Sequence, residues 1–345
     1  MNRQSSFARF PGTIFCPICG ASSISSCKEV YIDPYFKNEY KLYSCNICDL
    51  DFWEPRKIIP EFYEEEFLDE YYMRHSGLTK KPRYYHLEFF ENFRIIGNLF
   101  NRDPVKLLDI GCGNGTFIKE AQKLGLEVWG IDLDKNSIKC AQNLFGLRNT
   151  FVMDLESFVN YALNKNLKFD IITFFEVLEH QDDPRKFIQN IKKILNIPGI
   201  IAGTVPNRDN FFSKRFSRIS LIDYPPNHFL RFSKKSLEFL LDLEDFNQRK
   251  VYDINLSFFK FLKEFEKYLL SHKVIEERIS KFFLKLLFGP EYTLAKRRST
   301  GMRKRIYKTL KFVKSLTIRP LLIPFVLYLK SKVQMPVLYF QGILR

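Results

Sequence analysis

The segment Leu107–Phe117, LLDIGCGNGTF, sets an apolar run ending in an acid directly before glycines at 111, 113 and 115. A strand that turns through three glycines is a buried strand whose backbone must bend sharply or approach a ligand closely. Such a unit belongs to an open α/β sheet, where ligands sit at the carboxyl ends of the strands. A Walker loop would close in Gly-Lys-Ser/Thr. Here Thr116 and Phe117 follow Gly115, with no lysine, which argues against ATP or GTP hydrolysis. The dinucleotide fingerprint G-x-G-x-x-G fails as well, because the third glycine comes one residue early. Asp109, just before the turn, would repel a pyrophosphate and attract a cationic group. The turn predicts a cofactor without phosphates.

Downstream the pattern alternates. KLLDI reads as a strand, GTFIKEAQKLG as a helix, EVWGI as a second strand, and residues 135–145 as a helix. NTFVM and FDIITFF follow as strands, then PRKFIQNIKKIL as a helix and GIIAGTVP as a fifth strand. A polar loop over 207–231 leads to the helix SKKSLEFLLDLE, with Ser233 as its cap, and to the strand RKVYDINL. Continuous apolar strands separated by helices predict a parallel sheet covered on both faces. Acids end three successive strands: Asp109, Asp132 and Asp154. Asp132 stands where an acid would take two ribose hydroxyls, and Asp154 where it would take an adenine amino group.

Together LLDIGCGNG, GIDLD, VMD and FFEVLEHQDDP resemble the successive motifs of class I S-adenosylmethionine-dependent methyltransferases. The branch resembled includes ubiquinone-biosynthesis O-methyltransferases and many sugar-modifying enzymes, over about residues 80–255. The resemblance implies a Rossmann-like seven-stranded sheet with helices on both faces, closed by an antiparallel pair of strands. It implies that Asp109 and the backbone of Gly111, Cys112, Gly113 and Gly115 hold the methionine amine and carboxylate. Asp132 with Leu133, and Asp154 with Leu155, would hold the adenosine, and Glu176 would close the pocket near the reacting methyl group. One departure is Ile200, which stands where the family usually has the second glycine of a turn expected at the surface.

Seven cysteines include two pairs of equal spacing, Cys16/Cys19 in CPIC and Cys45/Cys48 in CNIC. Two such pairs joined by a hairpin-length connection suit tetrahedral thiolate ligation of zinc; the alternative is reduced cysteines at apolar turns. Four thiolates leave no open position, so the zinc would be structural. A zinc domain ahead of the catalytic domain resembles the layout of deoxysugar C-methyltransferases. The organisation expected is a zinc ribbon over 1–55, a lid and helices over 56–100, the methyltransferase core over 101–256, a helical insertion over 257–335, and a final core strand over 336–345. The acidic, aromatic stretch 61–77 is expected to lie over the cofactor.

Net charge is +15, yet from Tyr292 onward there are 13 Lys or Arg and no acid, so the first 291 residues hold only +2. Basic and apolar residues mixed over 292–335 suit an anionic membrane surface, a basic cap packed on the domain, or RNA. PLLIPFVLYL is too short to span a bilayer. No export signal is legible, and a cytoplasmic protein, peripheral at the membrane's inner face, is the expectation.

The acceptor side rests on two histidines. His228, in the Pro-rich loop YPPNHFLRFS, is the expected base for a hydroxyl, with His180 supporting it; for each the alternative is a hydrogen bond holding its loop. A metal set of Glu179, His180 and Asp182 would need a ligand from elsewhere in the chain. The acceptor expected is a small molecule, sugar or lipid-linked compound methylated at a hydroxyl. RNA or protein methylation and a silent zinc-bearing scaffold are the alternatives. The absence of an Asn-Pro-Pro-Tyr-like motif after FDIITFF argues against base-amine methylation, and nucleic acid is not the expected partner. The oligomeric state is not legible.

Overall fold

The computed structural model describes residues 13–59, 82–96, 100, 103–210, 223–262, 323–324, 327–328, 330 and 333–345. Two compact units separate: one comprises residues 1–209, 220–254 and 336–345, the other 210–219 and 255–335. In the second unit the chain enters a helix after Ser257, whose carbonyl accepts from the amides of Lys260 and Phe261. The expected lid at 61–77 and the basic stretch 292–322 lie outside the described residues, as does most of the helical insertion read at 257–335. Among the described residues no helix is long and apolar enough to cross a membrane.

The first unit begins with an antiparallel meander of β1 (Glu29–Ile32), β2 (Glu39–Ser44) and β3 (Asp51–Glu54). Asp33 makes the β1–β2 turn by accepting from the amides of Tyr35, Phe36 and Asn38, an acid mimicking a backbone turn. Helix α1 (Tyr84–Ile96) precedes the larger sheet. That sheet takes β4 (Lys106–Ile110), β5 (Glu127–Asp132), β6 (Thr150–Val152), β7 (Phe169–Phe175) and β8 (Leu195–Pro206). Between them run α2 (Thr116–Lys123), α3 (Lys135–Phe145), α4 (Leu155–Asn164) and α5 (Pro184–Ile194). After β8 come β9 (Leu230–Arg231), α6 (Lys234–Leu243), β10 (Asn247–Asp253) and β11 (Val337–Leu344).

The seven strands are ordered β10-β11-β8-β7-β4-β5-β6. β4 through β8 pair in parallel, and β11 slots antiparallel between β8 and β10. This is the Rossmann-like architecture expected, with the antiparallel pair at the expected edge. The chain reverses direction across the sheet between β4 and β7, so ligands are received at their carboxyl ends. All seven residues of β7 and all eight of β11 are buried, which explains why both are mostly apolar, with Asp170, Thr173 and Gln341 as the polar exceptions. Side chains start the helices in turn: Asp134 caps α3, Asp154 α4, Asp183 α5 ahead of Pro184, and Ser233 α6 in a capping box.

Three readings change. Helix α4 occupies the interval between the third and fourth strands; it buries Phe158, Val159 and Ala162. Ile200 lies inside β8, buried and opposite Ile171 and Ile343. The family's turn glycine is therefore replaced at a core position, and not in a surface turn. The loop expected over 207–231 ends in β9, which pairs with β3 and makes the small sheet four-stranded.

Close packing at the sheet centre is testable at Gly203 on β8. A methyl group there would sit 2.2 Å from the Phe174 carbonyl oxygen and 2.7 Å from the Phe340 ring. Overpacking of this kind costs about 1–3 kcal/mol. Gly203→Ala should lower the urea midpoint accordingly; an unchanged midpoint would show that the strands can separate to admit it.

Candidate active site

The turn after β4 is fixed by backbone geometry. Gly111, Gly113 and Gly115 have φ of 73°, 51° and 78°, a left-handed region costly for other residues. A Cβ at Gly115 would also meet Leu147 at 2.6 Å and Ala141 at 2.9 Å, whereas Gly113 has open space beside it. The turn is tied to β5: the amides of Gly111 and Cys112 donate to the Ile131 carbonyl, and the Gly113 amide donates to Asp132 Oδ2 at 2.8 Å. Asp132 Oδ1 accepts from the Asp134 amide at 2.8 Å, so one carboxylate orders both the glycine turn and the start of α3. Burial pushes the Asp132 carboxyl above its ordinary range.

Asp109 is buried on β4 and accepts from the Thr173 hydroxyl at 2.7 Å. Burial pushes its carboxyl up to about 8, partly offset by that hydrogen bond. The sulfur of Cys112 packs over Gly130, and burial raises the thiol well above its ordinary value, so it is no nucleophile in this state. Leu133 is 53% exposed, directly after β5. Leu155 is partly buried against the core. Asp154 is exposed, with both oxygens engaged by Ser157 as the cap of α4.

On the other side of β4, Glu176 directly follows β7 with φ of 57°, strain of a kind that gathers at functional sites. Its amide donates to the Thr204 carbonyl at 2.9 Å, and its Oε1 has no hydrogen-bond partner among the described residues. Burial raises its carboxyl. A short 3-10 turn, Leu178–His180, follows. His180 Nδ1 is 2.7 Å from the Asn227 carbonyl oxygen. His228 stacks edge-on against His180 at 4.7 Å between ring centroids, with Nδ1 3.5 Å from Asp223. Glu179, His180 and His228 thus meet in one place. The ligand missing from the local Glu179–His180–Asp182 set is His228, brought in from 48 residues along the chain, and Asp182 is not part of the cluster. Burial holds His180 down to about 3, with His228 adding to the shift.

Residues the sequence did not mark lie on α1 and before it. Arg83 donates to the Tyr85 hydroxyl at 2.8 Å, and Tyr85 stacks on Phe175 at the end of β7. His86 packs against Phe117 and Phe175 and is held down to about 3 by burial. Their only sequence signal is helical periodicity, which marks packing and not a site.

The four cysteines of the small sheet also converge, with all four sulfurs within 4.8 Å of one another. Cys16 and Cys48 are 3.4 Å apart, as are Cys19 and Cys45. Zinc bound by sulfur at about 2.3 Å sets ligand atoms roughly 3.8 Å apart, so the donor set fits zinc. The knuckle is bolted to the core: Arg208 donates to the Asp49 carbonyl and to Asp49 Oδ2, both at 2.7 Å, and lies 3.1 Å from Asp51. Ser233 Oγ also donates to the Asp49 carbonyl at 3.1 Å.

The sheet order and the glycine turn with its acids define a class I S-adenosylmethionine-dependent methyltransferase domain. Residues 81–251 match the family described as a methyltransferase domain, and the chain carries that domain. It is 36% identical over 118 residues to the ubiquinone biosynthesis O-methyltransferase of Bartonella quintana (strain Toulouse), covering 32% of this chain and 47% of that protein. It is 33% identical over 127 residues to that of Pelagibacter ubique (strain HTCC1062), covering 37% and 52%. The chain thus spans about half the length of the curated relatives it matches. Among solved structures, a SAM-dependent methyltransferase from Archaeoglobus fulgidus is 16% identical with a TM-score of 0.44, covering 79% of this chain and 99% of that one.

The cysteine geometry predicts one zinc per chain by elemental analysis of the purified protein, lost in Cys48→Ser. Because the knuckle touches the segment carrying His228, zinc removal should speed hydrogen exchange at the Trp53 and Phe229 amides at least tenfold. Exchange that ignores the metal would disconnect the two.

Proposed function

We propose that the protein transfers the methyl group of S-adenosylmethionine to a hydroxyl of a small-molecule, sugar or lipid-linked acceptor. The observation that carries this reading is that two groups of side chains flank the chain reversal at the carboxyl ends of the strands. Asp109 and the Asp132-anchored glycine turn lie on one side of the chain reversal, and the Glu179–His180–His228 cluster lies on the other. When bound, S-adenosylmethionine supplies a methyl group already activated on a sulfonium.

Asp109 would face the methionine ammonium, a cation that offsets the cost of its buried charge. The backbone of Gly111, Cys112, Gly113 and Gly115 would face the carboxylate. Asp132 would take the ribose hydroxyls. Leu133 would be covered by the adenine, with Leu155 beneath and Asp154 at the adenine edge. Glu176 would border the reacting methyl group. Aligning an oxygen opposite that group is most of the catalytic task.

An alcohol must also lose its proton, and the groups that can receive it are those of the cluster, with His228 at its centre. The O-methyltransferase relatives support oxygen as the acceptor atom. The unbroken positive charge from Tyr292 onward supports an anionic membrane surface as a partner. Zinc on Cys16, Cys19, Cys45 and Cys48 is structural in this reading, since four thiolates leave no open position.

Titration calorimetry with S-adenosylmethionine should give one site, weakened at least tenfold by Asp132→Ala; no binding would sink the reading. The pH dependence has a definite sign. With a carboxyl at about 8 in the free protein, Asp109 is mostly protonated at pH 7 and ionises on meeting the ammonium. Binding at pH 7 should therefore release close to one proton, detected as a buffer-dependent heat, and affinity should rise from pH 6 towards 8. In Asp109→Asn the release should vanish; its persistence would assign the proton elsewhere.

A further inference from the structure

His86, on α1, is bordered by three aromatic rings: Tyr85 at 4.6 Å, Phe175 at 4.8 Å and Phe117 at 5.1 Å between centroids. Two of these rings belong to the strand ends. Phe117 follows Gly115 by two residues at the start of α2, and Phe175 is the last residue of β7, directly before Glu176. His86 therefore touches both sides of the chain reversal between β4 and β7, the place that receives a ligand in a sheet of this kind.

The ring offers one defined group. The Arg83 amide donates to Nδ1 at 3.2 Å, so in the neutral ring Nε2 carries the hydrogen. Burial, with the Arg83 charge adding to it, holds the ring down to about 3, and the neutral form is the one present at pH 7. Nε2 makes no hydrogen bond among the described residues. A polar N–H left without a partner among aromatic rings is costly, and packing alone would be served by a phenylalanine.

The chemistry of an N–H selects its ligand group. It cannot serve an ammonium, which only donates, and it gains nothing from a sulfonium. A carboxylate suits it, because a hydrogen bond to an ionised acceptor is the stronger kind. The local charge has the matching sign. The Arg83 guanidinium, 2.8 Å from the Tyr85 hydroxyl, is close enough to depress His86, whereas Asp109 and Glu176 supply acids at the strand ends.

We propose that His86 is a cofactor-binding residue whose Nε2–H donates to the carboxylate of the methionine half, with Tyr85, Phe117 and Phe175 holding the ring in that pose. This rests on the methyltransferase reading above and deepens it. A side chain from outside the sheet joins the backbone of Gly111 to Gly115 at that carboxylate. The chain is thereby selective for a methyl donor that carries the carboxylate.

The test uses the full zinc-loaded chain and two ligands: S-adenosylmethionine and its decarboxylated form, which keeps the amine and the sulfonium. By titration calorimetry, His86→Phe should weaken S-adenosylmethionine about tenfold, the loss expected for a hydrogen bond to a charged group, and leave the decarboxylated form unchanged. His86→Gln, whose amide N–H reaches as far as Nε2, should recover most of that loss. Equal weakening of both ligands, or no weakening of either in the folded variant, would leave His86 a packing residue and overturn the inference. A second readout needs no variant to fold. With histidine labelled in nitrogen-15, the His86 Nε2 resonance of the unaltered protein should shift on adding S-adenosylmethionine and stay in place with the decarboxylated form. The same response to both ligands would also overturn the inference. Failure of the unaltered protein to bind either ligand would instead overturn the methyltransferase reading on which it rests.

Discussion

Phe229 makes two backbone hydrogen bonds on which the arrangement of the active-site face depends. Its amide donates to the Glu179 carbonyl, and its carbonyl accepts from the Trp53 amide. The first bond sets the loop from 223 to 231 against the turn after β7, so that His228 arrives beside Glu179 and His180. The second sets the same loop against the strand that follows the cysteine knuckle. Each bond contributes only about 1 kcal/mol, but they act with the Arg208 contacts to Asp49 and Asp51, where ionised partners roughly double the strength of each bond. Trp53 and Phe229 are fully buried there, so separating the segments would also expose large aromatic surfaces.

The carboxyl-end face of the sheet pairs buried acids with groups that can relieve them only in part. Asp109 has a single hydroxyl donor, Thr173. Glu176 is held in a strained conformation, and Glu179 lacks a donor altogether among the described residues. Stability alone would favour apolar side chains at these positions. The charge on the β4 side can be compensated by a cationic ligand such as the ammonium inferred above. Asp132 differs from them because its oxygens are already engaged by the backbone of the turn it organises.

Much of the larger sheet was legible because its signals are local. KLLDI and FDIITFF are mostly apolar because both faces of their strands are covered, and the Ser233 cap sits where its helix begins. The glycine turn was legible for the same reason, since φ near 70° at Gly111 and Gly115 leaves few residue choices. What escaped was nonlocal. β9 has two residues, no period of its own, and exists because β3 offers an open edge. The Glu179–His180 pair was visible as neighbours, but its partner comes from a loop whose path depends on that same edge. Ile200 looked like a surface substitution because a Pro-Gly pair precedes it, whereas β8 continues straight through. Arg83 and Tyr85 carry no motif, since their place at the end of β7 follows from how α1 docks.

The pairing of β3 with β9 also bears on how separable the knuckle is. Moving such a knuckle as a self-contained unit requires a seam where the chain can be cut without stranding hydrogen bonds. No such seam separates this knuckle from the residues around His228, because the fourth strand of its sheet is supplied by the loop that carries His228. Grafting the knuckle onto another enzyme would carry an unpaired edge, and deleting it would leave Leu230 and Arg231 without a neighbour strand. Substitutions in β3 are therefore constrained by the backbone path of the residues around His228.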